Sequence, residues 1–332
     1  MTENHISEVI TDQLVVDAEI IIPENLEYVQ YELTKKAVPK EDIGVFLKTE
    51  PIITDNPNYP GAYTAEAPDG SEFSTNEGYF RYARDLKKDD ELVAMIESAY
   101  SAKSYKKEET RDLDFESADE AVQSGKDKIK ELTGWDSEAI AVFSLEYQDL
   151  AALQNDVMQR DGYQKEVEMG ITHEISVSET DNLYYIAYAL TKDGLPIYNG
   201  LDEPGISMAV DLFWDSATNV TMLIDKDGIR YLYCRNGLFD VKPDTQTQAL
   251  ISAETALEKV KDIYSNTIIS SKATISKVWL EYIPVPYTEN PDLFRLSPYW
   301  CVQTDWLEED GHVSSSAERI NAVTGGNLSY GQ

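Results

Sequence analysis

The sequence predicts an α+β fold made of two duplicated units, each with one helix lying on an antiparallel sheet, after an N-terminal segment of strands and one helix. Two observations predict this fold. A stretch of 31 residues recurs 135 positions later in the chain, and each copy is followed by alternating apolar segments that Asp-Gly pairs separate. The predicted segments are residues 1–113, 114–244 and 245–332.

The N-terminal segment contains the clearest strand pattern. Alternate residues of 13–22 are apolar, beginning with Leu14 and Val16, which predicts a strand with one buried face. Further along, the sequence predicts strands at 28–33 and 44–47, a proline-rich loop at 50–75 and a helix at 90–102. This segment is therefore expected to be rich in strands, with one long loop.

The repeat preserves structural roles as well as residues. Residues 117–147 align with residues 252–282 without gaps and share nine identities. Ser117 and Ser252 are each expected to cap the start of a helix, because a serine oxygen accepts a free amide hydrogen of the first turn. Glu120 completes a capping box in the first copy. Both copies are thus predicted to begin with a helix.

A strand is predicted after each of these helices. Leu145 and Leu280 face one side of that strand, so Glu146 and Glu281 point to the other side, which a one-sided sheet leaves solvated. An insertion at 149–162 has the spacing of a short helix. The remaining predicted strands are 183–191, 206–214, 220–225 and 229–235 in the first unit and 298–306, 316–322 and 327–330 in the second.

The composition is strongly acidic. Lys and Arg number 28 against 61 Asp and Glu, which gives a formal net charge of −33. This charge argues against binding to nucleic acid or to anionic lipid, because phosphates need a positive surface. The acidity favours solubility, or else it provides a field that steers a basic partner or calcium towards the protein.

Two features of the sequence bear on its compartment. No stretch has the roughly 18 apolar residues of a membrane span, and residues 1–13 are polar and acidic, unlike a signal peptide. The sequence is expected to be either a cytoplasmic protein or the mature part of a chain whose targeting segment has been removed. Cys234 and Cys301 lie in apolar, strand-like runs, as buried free thiols or as a disulfide between two strands.

Patterns that would indicate a nucleophile or a zinc site are weak. The three histidines, His5, His173 and His312, lack the spacing of a zinc site. Residues 104–107 match the loose Ser-x-x-Lys pattern, but the companion motifs of serine–lysine enzymes are missing from the sequence. We therefore predict no catalytic residue, no cofactor and no metal ligand.

Two arrangements of carboxylates in the sequence could have a function. Residues 225–228 begin like a calcium loop, but no glutamate closes the loop at its twelfth position, so a turn is predicted there. Glu146 and Glu281 occupy equivalent positions of the repeat. Two carboxylates that face each other can hydrolyse glycosides, whereas a solvated sheet face places the same glutamates there without a function.

Aromatic residues and prolines concentrate in the second unit. Tyrosine and tryptophan dominate binding hot spots, because each combines a large apolar ring with a polar group. An exposed cluster would form a peptide-binding groove, and a buried one would only pack the core. The candidate ligand-binding aromatic residues are Tyr282, Tyr287, Tyr299, Trp300 and Trp306.

Three short motifs carry a resemblance to a known family. Residues 252–257 read Ser-Ala-Glu-Thr-Ala-Leu, residues 298–302 read Pro-Tyr-Trp-Cys-Val, and residues 320–325 read Ile-Asn-Ala-Val-Thr-Gly. This succession resembles the PepSY-like modules of bacterial envelope proteins, although Asn321 stands where such modules often carry aspartate. The tandem arrangement over residues 115–330 is also similar to YycH/YycI-type regulators and to uncharacterised lipoproteins of Gram-positive anaerobes.

The resemblance implies an extracytoplasmic, lipid-anchored protein that works through protein–protein contact and has no catalytic residue. The leading hypothesis is therefore a non-catalytic, envelope-associated binding or regulatory protein whose partner is an envelope protein or a peptide. The second hypothesis is a surface lipoprotein that captures peptides or glycans through the aromatic residues. The third is a hydrolase that uses carboxylates, with Glu146 and Glu281 as the pair.

Overall fold

The computed structural model describes residues 2–22, 27–101, 110–170, 175–199, 217–267, 269, 271–287, 290–308 and 311–328. Strands take 47% of the residues and helices 24%, and the strands form two large sheets. The predicted α+β fold of two helix-on-sheet, PepSY-like units is therefore wrong, because the protein is built mainly of β-sheet. These sheets join strands that are distant in sequence, and a local repeat does not specify such pairings.

The elements follow one another along the chain in an irregular alternation of strands and helices. In chain order they are β1 (Thr2–Val9), β2 (Leu14–Ile22), β3 (Glu27–Lys35), a 3₁₀ helix (Lys40–Val45), β4 (Ile52–Asp55), β5 (Tyr63–Glu66), β6 (Glu72–Asn76), β7 (Tyr79–Ala83), α1 (Leu86–Ser101), α2 (Ala118–Thr133), β8 (Asp136–Leu145), α3 (Tyr147–Met158), α4 (Asp161–Glu168), β9 (Leu183–Lys192), β10 (Leu195–Pro196), β11 (Asn219–Asp225), β12 (Gly228–Arg235), β13 (Phe239–Ala249), α5 (Ala253–Ser265), β14 (Lys272–Tyr287), β15 (Asn290–Leu307) and β16 (Val313–Asn321).

The chain forms two compact units and passes between them four times. Unit 1 contains Met1–Lys35, Thr191–Thr218 and Phe239–Gln332, and unit 2 contains Lys36–Leu190 and Asn219–Leu238. Each unit is therefore built from separate stretches of sequence. The boundaries after residues 113 and 244 that the sequence predicts stay a prediction about the repeat, and the compact units follow other boundaries.

Unit 1 contains one sheet with the strand order β1-β2-β14-β15-β3-β13, and β16 pairs with the part of β15 that β3 leaves open. The pairing of β2 with β14 is parallel. Alternation along β2 places Leu14 and Val16 in the core, fully buried, as predicted. Ser252 caps the start of helix α5, because its Oγ accepts the amide hydrogen of Thr255 at 3.2 Å. The helix packs on β2, β14 and β15.

Unit 2 contains a sheet with the order β9-β11-β12-β7-β6-β5-β4, and β8 pairs with β9. Helix α2 has the predicted capping box. The Ser117 side chain accepts from the amide of Glu120, and the Glu120 carboxylate accepts from the amide of Ser117. The predicted inserted helix is present as α3, with Leu150 and Leu153 buried. Local capping and periodicity were therefore sufficient to predict these helices.

Other local predictions were wrong. Residues 44 and 45 end a 3₁₀ helix and residues 46 and 47 follow it, so no strand forms there. Residues 50–75, predicted as a loop, contain β4, β5 and most of β6. Prolines in this stretch lie between the strands, so a proline-rich composition is compatible with a meander of short strands. The strand predicted at 206–214 lies outside the described residues. No helix in the described ranges is long and apolar enough to cross a membrane.

Candidate binding groove

An open groove lies on the sheet of unit 1, along β3, β13 and the neighbouring ends of β14 and β15. Its volume is about 410 Å³, within the range of roughly 300–1,000 Å³ that is typical of small-ligand sites. The residues that line it are Gln30, Tyr31, Glu32, Lys242, Pro243, Tyr287 and Arg295. We call this feature the groove.

Strand register places a row of charges across the groove. Glu32 on β3 lies opposite Lys242 on β13 and opposite Arg295 on β15, and directly paired residues of neighbouring strands share one face of a sheet. The ammonium of Lys242 is 3.8 Å from Glu32 Oε1 and its side chain is 80% exposed. One carboxylate therefore stands between two cations, so the groove is locally positive in a chain whose net charge is −33.

Arg295 is held by an aromatic ring. Its guanidinium lies 5.0 Å from the ring centroid of Tyr287, and its Nε donates to the Tyr287 hydroxyl at 3.4 Å. Among the described residues, no carboxylate forms an ion pair with Arg295. Stacking on the ring orients the planar guanidinium and leaves its remaining N–H groups available for a ligand.

Tyr31 neighbours Glu32 on β3, so its side chain points to the opposite, buried face of the sheet beneath the groove, where the turn between β9 and β10 fixes it. Its hydroxyl donates to the Asp193 carboxylate, and the ammonium of Lys192 lies 4.8 Å from the centre of its ring. Burial, followed by the hydrogen bond to Asp193 and its negative charge, raises the pKa of Tyr31. Asp193 has a φ of 52°, a conformation that aspartate tolerates in a tight turn.

An irregularity in strand pairing shapes the outer wall of the groove. The register between β3 and β13 shifts between Pro243 and Thr247. Proline cannot donate to a ladder and is found at edges and bulges, and a bulge bends the strand that carries it. Strand β13 is the edge of this sheet, so this irregularity begins at Pro243, on the outer side of the groove.

The structure disperses the five predicted aromatic residues. Tyr287 lines the groove. Tyr282, Tyr299 and Trp300 are 0%, 6% and 1% exposed and belong to the core, and Trp306 is half-buried and outside the groove lining. Only Tyr287 is therefore placed to touch a ligand in the groove, while the buried aromatic residues support the sheet.

Sequence reasoning did not single out the charged residues of the groove. Lys242 lies in β13, whose polar residues, such as Asp240 and Thr245, give no alternating apolar pattern from which to predict a strand. Arg295 lies before residue 298, the predicted start of its strand. The available signal was Glu32 in a predicted strand. A carboxylate on a strand near the sheet edge gives no indication of its cross-strand partners until the register is known.

The two glutamates of the repeat have different surroundings. Glu281 is 7% exposed and accepts hydrogen bonds from the thiol of Cys301 and from Trp279, so its predicted position on a solvated face is wrong. Glu146 is the N-cap of α3 and pairs with Arg111 at 3.3 Å. Glu281 belongs to unit 1 and Glu146 to unit 2.

The remaining sequence candidates have structural roles or lie outside the described residues. Cys234 and Cys301 are free and buried, which is the first of the two predicted alternatives. Residues 225–228 form a turn in which Asp225 pairs with Arg84 at 2.8 Å. His173 and residues 104–107 lie outside the described residues. Within the described part of the chain, no group of three or more His, Cys, Asp or Glu side chains is arranged to hold a metal ion.

Unit 2 contains a buried cluster of charges that is satisfied internally. Arg230 donates to Asp89 at 2.5 Å and to Asp181 at 2.9 Å, and Lys88 pairs with Asp181 at 2.7 Å. Although burial acts to raise it, the hydrogen bonds from Lys88 and Arg230 keep the pKa of Asp181 below its ordinary value. Each carboxylate has a cationic partner, so the cluster ties α1 to the sheet rather than offering a site.

Comparisons with known proteins identify the fold alone. No family model matches the sequence, and no curated protein matches it. The crystal structure of an uncharacterized protein from Eubacterium rectale ATCC 33656 is similar, with a TM-score of 0.64 and 15% sequence identity over 98% of this chain and 94% of that chain. That protein therefore shares the two-unit β-sheet fold, and the likeness gives no function.

Proposed function

We infer that this is a non-catalytic binding protein whose groove takes a short, extended polypeptide segment with a carboxylate. The observation that carries this inference is Arg295, which is stacked on Tyr287, lies across Glu32 from Lys242 and, among the described residues, forms no ion pair with a carboxylate. The leading hypothesis from the sequence, an envelope-associated protein that acts through contact with a protein or peptide, is compatible with such a groove.

The chemistry of the groove matches a peptide. A guanidinium donates two parallel hydrogen bonds to a carboxylate, and the ammonium of Lys242 adds a second positive charge. Glu32 between them accepts hydrogen bonds, so it favours a ligand that also offers N–H groups. A peptide with an acidic side chain, or with a free C-terminus, offers the carboxylate and the backbone amides together.

A glycan fits the groove less well. Sugar rings are held largely by stacking on an open aromatic face, and the face of Tyr287 is covered by the guanidinium of Arg295. The ring of Tyr31 is buried on the opposite face of β3, with the ammonium of Lys192 over it, and is not open to a sugar. The capture of glycans therefore ranks second, and neutral oligosaccharides belong in the test as a separate arm.

The net charge of the chain makes a distinct prediction for this mode of binding. A charge of −33 repels an acidic peptide at long range. At an ionic strength of 0.15 M, however, salt largely screens this repulsion at distances beyond about 8 Å. Binding in the groove is expected to persist between low and physiological salt. A basic partner held by the acidic surface would instead lose affinity steeply over this range.

The test uses two matched libraries of blocked tetrapeptides, one with a single Glu and the other with Gln at the same position. Titrations should show saturable binding for members of the Glu library only. Arg295→Ala is expected to weaken that binding at least about tenfold, since a charge-assisted pair is lost. Lys277→Ala removes a cation that lies 5.4 Å from the ring of Trp279, outside the groove, and serves as the matched control.

Equal binding of both libraries, or an Arg295→Ala variant with unchanged affinity, would contradict the inference. Binding of cellotetraose that Arg295→Ala leaves intact would favour glycan capture. The envelope location and the lipid anchor rest on the sequence resemblance, and the groove does not depend on them. N-terminal peptide mass spectrometry on fractionated cells of the source tests the location, with a lipidated cysteine in the membrane fraction as the expected result.

A further inference from the structure

The sheet of unit 2 ends in a strand, β4, whose side chains are exposed to solvent. Strand β4 pairs only with β5 and is the last strand in the order of that sheet. All four of its residues are exposed, with Ile52 at 76% and Ile53 at 39%. Sheet edges are normally protected by charge, by proline or by a covering element, because a free edge pairs readily with another strand.

The apolar face of this sheet continues to the edge without a break. Each member of one row of side chains is paired with the next across seven neighbouring strands. In order, the row is Ile186, Met222, Leu232, Tyr82, Phe73, Ala65 and Ile53. The first six are buried, and Ile53 ends the row on the edge. An apolar residue opposite Ile53 would continue it.

The length of the edge is limited at both ends. Pro51 precedes β4 and Pro57 follows it, and proline cannot continue a ladder of hydrogen bonds. Within the described residues, the outer side of β4 receives no hydrogen bond from another strand. The edge therefore presents one short strand of four residues to a partner.

Charge around the edge selects the partner. Residues 40–70 carry six acidic and two basic side chains, and one of the two lysines, Lys40, is already paired with Asp55 at 2.5 Å. Glu66 lies opposite Ile52 on the face that points away from the buried row. An incoming strand with Lys or Arg beside its apolar residues would meet carboxylates on that face and at both ends.

We propose that β4 is a docking edge for an extended, basic segment of another polypeptide, which adds one strand to the sheet of unit 2. Backbone pairing supplies the affinity and the apolar contact with Ile53 sets the register, as in other cases of strand addition. A second copy of this chain is a poorer occupant, because it brings the same acidic edge and the two would repel each other. The proposal is independent of the groove in unit 1.

The probe is the blocked peptide acetyl-Lys-Val-Thr-Val-Thr-Val-Lys-amide, titrated against the full chain by isothermal calorimetry. Saturable binding with one peptide per chain is expected. Two analogues carry N-methyl groups on alternate residues, one analogue for each of the two possible sets. At least one of them should lose binding, because its N–H groups that face β4 can no longer donate to the β4 backbone. A counterpart with Glu in place of Lys should bind at least about tenfold more weakly, from repulsion by the acidic edge.

Variants of the chain locate the site. Ile53→Thr is expected to weaken binding about fivefold, from the loss of one apolar contact. Val313→Thr changes an exposed strand residue of unit 1 in the same way and should leave affinity unchanged. The proposal is overturned if the parent peptide does not bind, if both N-methylated analogues bind as well as the parent, or if sedimentation equilibrium shows a dimer that Ile53→Thr dissociates.

Discussion

The thiol of Cys301 donates a hydrogen bond to Oε1 of Glu281 at 2.9 Å, and both side chains are buried in unit 1. The same carboxylate accepts from Trp279 Nε1 at 3.2 Å and lies 3.5 Å from Nε of Arg319. Burial, followed by the charge of Glu281 and the hydrogen bond to it, raises the pKa of Cys301 well above its ordinary value. The thiol therefore remains protonated and acts as a donor that helps to keep a buried charge satisfied.

This arrangement predicts different costs for two substitutions of Cys301. Cys301→Ala removes a donor from a buried carboxylate and is expected to lower the free energy of unfolding by about 1–3 kcal/mol. Cys301→Ser keeps a donor and should cost less than Cys301→Ala. Urea unfolding of the three proteins measures the order. If the Ser variant is the less stable of the two, the hydrogen bond is not what stabilises this position.

The burial of Glu281 could not be predicted from the sequence. Alternation around Leu280 correctly places Glu281 on the other face of its strand, but the sequence does not show that this face is also covered. The face that carries Glu281 is covered by Tyr198, which packs with Ile283 and Tyr299 and whose ring centroid lies 4.6 Å from the guanidinium of Arg319. A pattern of period two identifies the faces of a strand and leaves their surroundings open.

Local signals gave reliable results where the interaction itself is local. The capping box of Ser117 and Glu120 spans four residues, and it was predicted from the sequence because its two hydrogen bonds join neighbours in the chain. The groove is the opposite case. Glu32, Lys242 and Arg295 lie on three strands that are far apart in the sequence, so their proximity follows from register alone.

A second prediction concerns Gly125 in α2. Replacing a helical glycine with alanine usually stabilises a protein by about 0.5–1 kcal/mol. A Cβ on Gly125, however, would lie 1.9 Å from the hydroxyl oxygen of Tyr188 and 2.6 Å from its Cζ, and that hydroxyl donates to the carbonyl of Val122 at 3.1 Å. Gly125→Ala is therefore expected to destabilise the protein by about 1–3 kcal/mol through overpacking.

Gly162 in α4 is the matched control for Gly125. No atom lies within 4 Å of the position that its Cβ would occupy, so Gly162→Ala should be neutral or stabilising by up to about 1 kcal/mol. Thermal unfolding of both variants tests the pair. A gain in stability from Gly125→Ala would mean that the Tyr188 ring does not pack against α2 in this way.

The last prediction uses Glu97, a half-buried residue of α1 with a distinct pH dependence. Its Oε1 accepts hydrogen bonds from Tyr185 Oη at 3.1 Å and from Thr221 Oγ1 at 3.3 Å. Burial outweighs these two bonds and raises the pKa of Glu97 above its ordinary value of 4.5. The folded state thus holds the proton more tightly than the unfolded state, so this group's contribution to stability is complete below pH 4.5 and is lost as pH rises through the raised pKa.

Glu97→Gln removes the ionisation, and its unfolding midpoint should exceed that of the parent at pH 7 and approach it at pH 4. Glu138→Gln, on an exposed position of β8, is the control and should shift the midpoint little at either pH. Melting curves recorded from pH 4 to pH 8 provide the measurement, and a Glu97→Gln midpoint that falls below that of the parent at pH 7 would show that the ionised carboxylate is stabilised in place.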